Sequence, residues 1–356
     1  MDRSVFVDIT HMPHVNFFKN AIKILRGMDI GIELGVRPRA ALVDIVRTEY
    51  PDLPLILCGK HRASLIANML DMLRRDISLM AHLRKSEFDV ATCIGGFNGS
   101  HVAYARRKPS VVFSDDVETK LANYPYECIA TYIVRPAFTR SKGKRILTYN
   151  GFKELAYLHP NYFVPNRHVL DKYNVQPGEY VFIREVSNTT INYRHLQEGS
   201  LVDICPSLKQ MGFKIILSLE NKALRPQFEN ECIILEEPVN DIHSVLHYAA
   251  LAICSGDSMA REACLVGTPA IYTGGRVMSI NSGLLKKGCF FAASGEQQIL
   301  DIVGSILSNS LKEKTQRTIS EAIETEWVDT TEVIVNCLLS AINNDVSLIE
   351  KYMGRN

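Results

Sequence analysis

The chain has 356 residues, more than one ordinary hydrophobic core accommodates, so we expect two domains of similar size. Hydrophobic residues make up 46% of it and charged residues 22%, as in soluble globular proteins. The formal net charge of +1 argues against nucleic-acid binding through bulk electrostatics. No signal-peptide pattern is visible at the N-terminus, and no apolar run approaches the roughly 18–20 residues that span a bilayer.

The nine cysteines are scattered and form no Cys-x-x-Cys pair. Most of them lie in apolar strand or helix patterns. We therefore expect buried thiols in a reducing compartment, with neither a zinc site nor a disulfide frame, and a cytoplasmic location.

The first half of the chain alternates strand and helix patterns, as α/β folds do. Apolar runs predict strands over 4–10, 53–58, 89–94, 110–114 and 129–134. Helical spacing of apolar residues predicts helices over 16–26, 40–49, 65–83 and 100–106.

Between about residues 140 and 177 the alternation stops, and Tyr, His, Pro and Asn become dense, which indicates an interdomain connection. Beyond it, strands are predicted over 180–184, 214–219, 233–235, 249–254 and 270–272, and helices over 199–211, 242–250, 259–266 and much of 296–349. We expect an N-terminal domain over 1–160, a C-terminal domain over 161–340 and a last helix over 341–356.

The most informative stretch is 249–272, where a strand, a polar turn, a short helix, a glycine and a second strand follow one another as a βαβ unit. Ligands of open α/β sheets bind at such turns, and the first N–H groups of the helix, at Ser258 and Met259, suit a phosphate. Glu262 lies about one helical turn further on, within reach of a hydroxyl pair on a sugar or ribose. The alternative is that Asp257 or Ser258 only caps the helix and that Glu262 is solvated.

Two loops of the first half are candidates for binding or catalysis. His14 begins a helix, where its imidazole stays neutral and can act as a general base or donate to a phosphate; the alternative is a packing or capping histidine. The glycine-rich loop at Gly95, Gly96 and Asn98 lets a backbone approach a ligand, although a tight turn needs glycine equally.

Two further strand ends carry charged groups. Asp115, Asp116 and Glu118 follow a predicted strand and suit a metal or general-base role, or else an acidic helix start. Arg184 ends the first strand of the second half, where it can meet a diphosphate or form a salt bridge within the domain. His243 and His247 have metal-ligand spacing but no third ligand, so no metal site is expected.

With these loops in order, the chain resembles the GT-B superfamily of nucleotide-sugar enzymes over nearly its whole length. It looks most like a prokaryotic family of unassigned function that starts Asp-Ile-Thr-x-x-Pro-His-Val-x-Phe-Phe, here residues 8–18. It also resembles the peptidoglycan N-acetylglucosaminyltransferase in a histidine opening the first helix, a Gly-Gly loop, an acidic segment and a Ser-Gly-(x)5-Glu motif, here at His14, 95–99, 114–118, and 255–262. That enzyme's Gly-Gly-x-Gly-Gly run in the first loop is absent.

UDP-N-acetylglucosamine 2-epimerases share this fold and a related motif, matched here by residues 254–257 and Glu262. Their Gly-Thr-Arg-Pro-Glu start and His-x-Glu-Ala-Gly-Leu-Arg segment are absent; residues 114–120 read Ser-Asp-Asp-Val-Glu-Thr-Lys instead. The resemblance therefore supports an inference about the fold of this chain more strongly than an inference about its reaction.

The resemblance implies an α/β GT-B protein with two Rossmann-like domains facing a central cleft. It implies a glycosyltransferase of cell-surface polysaccharide or glycan biosynthesis, with a nucleotide-sugar 2-epimerase or a non-catalytic nucleotide-sugar-binding protein as alternatives. The donor, expected to be UDP-linked, would meet Arg184, Ser255, Gly256, Asp257, Ser258, Met259 and Glu262. His14 or Asp116 would be the general base of a transferase. An epimerase needs acids on both sides of the sugar ring, for which Asp115, Asp116, Glu118 and Asp257 are candidates.

No metal or other cofactor is expected beside the nucleotide-sugar donor. The expected partners are that donor and a glycan or lipid-linked acceptor, with peripheral membrane association left open and no nucleic acid.

Overall fold

The computed structural model describes residues 3–39, 41–59, 65–84, 87–96, 98–188, 199–236, 239 and 241–353, without the side chains of 65–69 and 120–122. The chain forms two compact units. The first comprises residues 1–159 together with 327–356, and the second comprises residues 160–326.

The first unit is built on a parallel sheet of seven strands in the order β3-β2-β1-β4-β5-β6-β7. These strands are β1 (Ser4–Ile9), β2 (Gly31–Val36), β3 (Leu55–Leu57), β4 (Val90–Ile94), β5 (Ser110–Phe113), β6 (Tyr132–Pro136) and β7 (Ile146–Tyr149). The central strands are buried on both faces because helices cover both sides of a parallel sheet, which explains their continuous apolar runs.

Helices connect these strands and pack on the sheet. They are α1 (Met12–Gly27), α2 (Leu42–Glu49), α3 (Leu65–His82), α4 (Asn98–Ala105), α5 (Lys120–Glu127) and α6 (Leu155–Leu158), with 3-10 turns at Ala137–Thr139 and Val346–Tyr352. Pro13 in the first turn of α1 is favourable there, since its missing N–H would have no helical acceptor. Phe17 of α1 packs edge-on against Phe113 of β5, with ring centroids 5.2 Å apart.

The second unit contains a parallel sheet of six strands in the order β10-β9-β8-β11-β12-β13. These strands are β8 (Tyr180–Glu185), β9 (Lys214–Leu219), β10 (Ile233–Ile234), β11 (Leu251–Cys254), β12 (Ala270–Tyr272) and β13 (Phe290–Ala292). The helices are α7 (Cys205–Gln210), α8 (Arg225–Phe228), α9 (Ile242–Tyr248), α10 (Asp257–Leu265), α11 (Ser282–Lys286), α12 (Glu296–Ser308) and α13 (Leu311–Thr325), with 3-10 turns at Arg167–Tyr173, Ser200–Val202, Lys222–Leu224 and Ser279–Asn281.

Both sheets have the strand order of Rossmann-like folds. In the first unit the chain runs outward through β1, β2 and β3 and then returns to place β4 beside β1; in the second, β11 returns to the side of β8. The carboxyl ends of β1 and β4, and those of β8 and β11, are therefore topological switch points. Ligands of such sheets bind there.

The last helix, α14 (Thr330–Asn343), belongs to the first unit. Trp327 packs edge-on against Phe152, and the Thr331 hydroxyl donates to the Ala156 carbonyl at 2.8 Å. The structure therefore differs from the expected division at residues 327–340, which the sequence assigned to the second domain. It differs also at the expected last helix over 341–356, where the described residues 341–353 contain the end of α14 and a 3-10 turn.

The stretch expected to be an interdomain connection is largely structured. Strand β7 and helix α6 lie within it and belong to the first unit, so the chain first passes from one unit to the other at residues 159 and 160. Strand β2 was also missed by the apolar pattern, since Gly31, Glu33 and Gly35 interrupt it. Gly35 is needed there because a Cβ atom would lie 2.5 Å from the Phe6 ring.

Candidate functional site

In the second unit, the switch point is formed by the turn between β11 and α10. The Ser255 hydroxyl accepts the Val186 N–H at 2.8 Å and donates to the Arg184 carbonyl at 3.2 Å. It thus links the ends of the neighbouring strands β8 and β11. This side chain, predicted to bind ligand, fixes the turn itself.

Close packing explains two glycines at this turn. A Cβ atom on Gly256 would lie 2.8 Å from Val186 Cγ1, and one on Gly274 would overlap the Ser255 carbonyl oxygen. Gly256 has an extended backbone and is the residue before α10. The turn is therefore held from both sides, by the loop after β8 and by the loop after β12.

The first turn of α10 is anchored by Arg261, whose side chain is fully buried. Its guanidinium donates to Asp257 Oδ2 at 2.7 Å, to Asn281 Oδ1 at 3.1 Å and to the Ser258 hydroxyl at 3.3 Å. The side chains of Asp257 and Ser258 therefore bind inside the unit. What the start of α10 offers a ligand is its backbone N–H groups, including that of the half-buried Met259.

Two charged side chains flank this turn. Glu262 Oε2 lies 3.7 Å from His243 Nε2 on the neighbouring helix α9, and both side chains are mostly buried. Arg184, at the end of β8, donates to the Ser218 hydroxyl at 2.7 Å and lies 3.7 Å from Glu220. A carboxylate that can accept hydrogen bonds thus lies on α10, and a guanidinium cation lies at the end of β8, on the two sides of the switch point.

The switch point of the first unit contains a pocket of about 180 Å³. It is lined by His11, Pro13, His14, Phe17, Ile94, Lys153 and Tyr157. His14 is buried, and its Nδ1 accepts the Thr10 N–H at 3.4 Å. Burial, followed by the nearby charges of His11 and Lys153, lowers the pKa of His14 well below its ordinary value. Its imidazole is therefore neutral at pH 7.

Lys153 brings the acidic segment to this pocket. Its ammonium lies 2.7 Å from Asp115 Oδ2, and Asp115 follows β5. The loop after β1, the end of β4 and the segment after β5 are therefore gathered around one pocket. Three of the four predicted loops lie in this unit, and the structure brings them together.

The other predicted site residues of the first unit are not among those that line the pocket. Asp116 accepts the N–H and the hydroxyl of Thr119 at 3.2 and 3.0 Å, as at a helix start, and Glu118 is exposed. Gly95 adopts a left-handed backbone, with φ at 53°, and no neighbouring atom would obstruct a Cβ there. The glycine thus serves a tight turn, and its partner Gly96 has only ordinary contacts.

Asn98 is buried and turned inward. Its Oδ1 accepts from Arg75 at 2.9 Å, while its Nδ2 donates to the Met72 carbonyl at 3.1 Å and to Asp76 at 2.6 Å. Arg75 also forms a fully buried ion pair with Asp8 of β1. The predicted ligand-binding side chain of Asn98 therefore belongs to a network that supports the loop.

A model of the DUF354 family, described as a protein family of unknown function, matches residues 3–342. The chain belongs to this family. The uncharacterized protein MJ0665 of Methanocaldococcus jannaschii is 21% identical over 282 residues, which cover 75% of this chain and 80% of that protein.

Solved structures share the fold at low identity. UDP-GlcNAc 2-epimerase from Neisseria meningitidis, bound to UDP-GlcNAc, matches with a TM-score of 0.67 and 11% identity over 95% of this chain and 100% of that one. MurG from Acinetobacter baumannii matches with a TM-score of 0.62 and 13% identity over 96% and 100% of the two chains. The predicted GT-B fold class is confirmed, as is the resemblance to a family of unassigned function.

Sequence reasoning missed Lys153, Tyr157 and Arg75. The first two lie in the stretch interpreted as a connection, and Arg75 lies in a helix whose apolar spacing drew attention instead. The available signal was the stretch 149–158, in which a lysine lies among aromatic residues that include Tyr157. The contacts of Arg75 depend on Asp8, 67 residues away, which no local pattern reveals.

The described residues contain no group of three or more His, Cys, Asp or Glu side chains arranged to hold a metal ion. His243 lies beside Glu262, whereas the Nδ1 atom of His247 lies 2.6 Å from the Val266 carbonyl oxygen. Among the parts of the chain that the structure describes, no helix is both long and apolar enough to cross a membrane.

Proposed function

We propose that this protein is a nucleotide-sugar-dependent enzyme, specifically a glycosyltransferase that uses a UDP-linked donor in polysaccharide or other glycan biosynthesis. The observation that carries the proposal is the β11–α10 turn, which lies at a switch point and has Arg184 on one side and Glu262 on the other. The Neisseria epimerase, which shares the fold, binds UDP-GlcNAc, and this supports the choice of nucleotide.

The donor would bind in the second unit through its diphosphate and ribose. The N–H groups at the start of α10 suit phosphate oxygens, because they carry the positive end of the helix dipole. The Glu262 carboxylate accepts hydrogen bonds and suits the ribose hydroxyls. Arg184 would offset the charge that develops on the leaving diphosphate.

The acceptor would bind in the first unit, beside the pocket at the other switch point. Among the candidate carboxylates, Asp115 pairs with Lys153, a residue that lines the pocket, and Asp116 accepts from the Thr119 hydroxyl. We therefore assign to Asp115 the general base that takes the proton of the acceptor hydroxyl. The anomeric carbon then forms a bond to that oxygen, and its bond to the diphosphate breaks.

Calorimetry with UDP tests the donor site. Replacing Glu262 by Gln removes a charged acceptor, and the loss of about 1.5–3 kcal/mol corresponds to a roughly 10- to 100-fold weaker affinity. The matched control is Glu236→Gln, a change at an exposed carboxylate of the same unit that pairs with Arg225. The proposal fails if the unaltered protein binds none of the UDP, TDP and GDP sugars.

The reaction is tested by incubating the protein with UDP-sugars, with and without glycan or lipid-linked acceptors, in the presence of a chelator. We expect UDP release that depends on the acceptor and survives chelation. Asp115→Asn is expected to lower kcat much more than it changes the KM of the acceptor. Deuterium incorporation at the sugar C2 in D2O would assign the chain to 2-epimerase chemistry instead.

A further inference from the structure

Two cysteine side chains of the second unit touch each other near the edge of its sheet. Cys205 is the first residue of α7, and Cys232 immediately precedes β10, the edge strand. Their Sγ atoms lie 3.6 Å apart, so one thiol can donate to the other. The two sulfur atoms are therefore close enough for small side-chain and backbone movements to bring them within bonding distance.

The backbone segments that carry these thiols are joined by contacts that involve no sulfur atom. Lys209, one helical turn after Cys205, lies 2.8 Å from Glu231 Oε2 and donates to the Asn230 carbonyl at 3.2 Å. Both partners of Lys209 lie within two residues of Cys232. These contacts help to hold α7 beside the segment before β10, so the proximity of the thiols does not depend on their own interaction.

The two thiols differ in their access to solvent. Cys205 is completely buried in the apolar core of the second unit, whereas Cys232 is half-buried at the margin of that core. A dissolved oxidant therefore reaches Cys232 first. Cys264 and Cys289 offer a contrast: the Cys264 thiol donates to the Cys289 carbonyl at 3.1 Å, and both side chains are buried. Proximity and access are thus combined at Cys205 and Cys232.

We propose that Cys205 and Cys232 form a reversible redox site, at which a low-molecular-weight disulfide such as oxidised glutathione converts the two thiols into a disulfide bond. In the first step the Cys232 sulfur bonds to one glutathione sulfur, the glutathione S–S bond breaks, and one glutathione leaves as a thiol. In the second step the Cys205 sulfur bonds to that of Cys232 and displaces the other glutathione. The two thiol protons pass to the two glutathione sulfurs, which gain the two electrons that the protein loses.

The bond would connect α7 to the segment that leads into β10, positions that are 27 apart in sequence. Such a cross-link restricts the unfolded chain, so the oxidised protein should unfold less readily than the reduced one. In a reducing compartment the thiols persist, and the disulfide forms when the glutathione pool becomes oxidised. The site is independent of the proposed function, because neither cysteine belongs to the donor or acceptor residues.

The test exposes the full chain to mixtures of reduced and oxidised glutathione, stops exchange with acid and maps the peptides by mass spectrometry. We expect a peptide linked through Cys205 and Cys232 that disappears on treatment with dithiothreitol. Exposed Cys128 should carry glutathione, which verifies the oxidant, while Cys264 and Cys289 stay thiols. Glutathione on Cys128 without any link between Cys205 and Cys232 in the most oxidising mixture would overturn the proposal.

Serine variants test the two roles. Cys205→Ser removes the thiol that completes the bond, so glutathione should accumulate on Cys232. Cys232→Ser leaves the buried Cys205, whose modification should be at least about 10-fold slower than that of Cys232 in the first variant. The control is Cys128→Ser, which should form the link as the unaltered protein does. Equal modification rates in the first two variants would contradict the assignment.

Urea denaturation of the oxidised and reduced forms tests whether the bond fits the native fold. The midpoint should rise on oxidation in the unaltered protein and in Cys128→Ser, and this rise should be lost in Cys205→Ser and Cys232→Ser. A midpoint that falls on oxidation would mean that the second unit must distort before the bond forms. That result would overturn a redox site built into the fold.

Discussion

Arg75 and Arg261 are the largest side chains that the structure buries completely. Their environments are alike, since each guanidinium binds one aspartate and one asparagine: Asp8 and Asn98 in the first unit, Asp257 and Asn281 in the second. A buried charge is tolerated only when it is paired and hydrogen-bonded. Both networks lie directly behind a switch point, so each holds the loops of a candidate site in place.

Lys312 is a residue whose charge depends on folding. Its ammonium donates to the carbonyl of His247, near the end of α9, at 2.5 Å, and it also donates to the Thr268 hydroxyl. Burial lowers its pKa from 10.5 to about 7. Between these two pH values the unfolded chain holds a proton that the folded chain has lost, so raising the pH stabilises the folded state.

We predict that Lys312→Met removes this pH dependence. From pH 7 to 9 the free energy of unfolding of the unaltered protein should rise by about 1 kcal/mol per pH unit relative to the variant. Urea denaturation at pH 7, 8 and 9 measures the difference. Lys314→Met, at an exposed lysine of the same helix, should run parallel to the unaltered protein, and parallel curves for Lys312→Met would show that Lys312 does not titrate in this range.

At the scale of elements, the strands that pack on both faces were predictable, because burial imposes an apolar run such as Val181–Ile183 on the sequence. Strand β7 was not, since its exposure alternates and its neighbours read as a connection. The loops that form the sites followed from a topological rule about strand ends. Their side-chain partners did not, since Lys153 and Asp115 are 38 positions apart in sequence and meet only after folding.

The β11–α10 turn gives an element-scale prediction. In Gly256→Ala the new Cβ lies too close to Val186 Cγ1, so the turn must shift. We expect a stability loss of about 1–3 kcal/mol and, if the donor site is correct, a UDP affinity roughly 10-fold lower. Calorimetry and urea denaturation measure both effects.

Two variants control this experiment. Val186→Ala removes the obstructing atom, so the double variant should recover most of the UDP affinity. Gly304→Ala lies within α12, where a Cβ meets no atom within 4 Å, and should raise stability by about 0.5–1 kcal/mol. If the double variant binds UDP as weakly as Gly256→Ala, the steric explanation is wrong.

At the scale of the molecule, the chain leaves its first unit at residue 159 and returns to it at residue 327. The apolar spacing of α14 indicates that one of its faces is buried, but any helix with such a face fits either unit equally well. The choice is made by long-range contacts, among them the hydrogen bond from the Thr330 hydroxyl to the Phe152 carbonyl at 2.8 Å. Local sequence patterns do not reveal such long-range contacts, and for this reason the expected domain boundary differs from the one in the structure.

Trp327 is the residue at which this return is best tested. Its ring is 5% exposed and packs edge-on against Phe152, with ring centroids 4.9 Å apart. Trp327→Ala should cost about 3–5 kcal/mol, because it leaves a cavity in the first unit. Hydrogen exchange should therefore accelerate in α6, α14 and β1 and stay unchanged in β9. Phe228→Ala, at a buried ring of the second unit, should reverse this pattern. Faster exchange in β9 of Trp327→Ala would mean that the C-terminal segment stabilises the second unit instead, as the sequence-based division supposed.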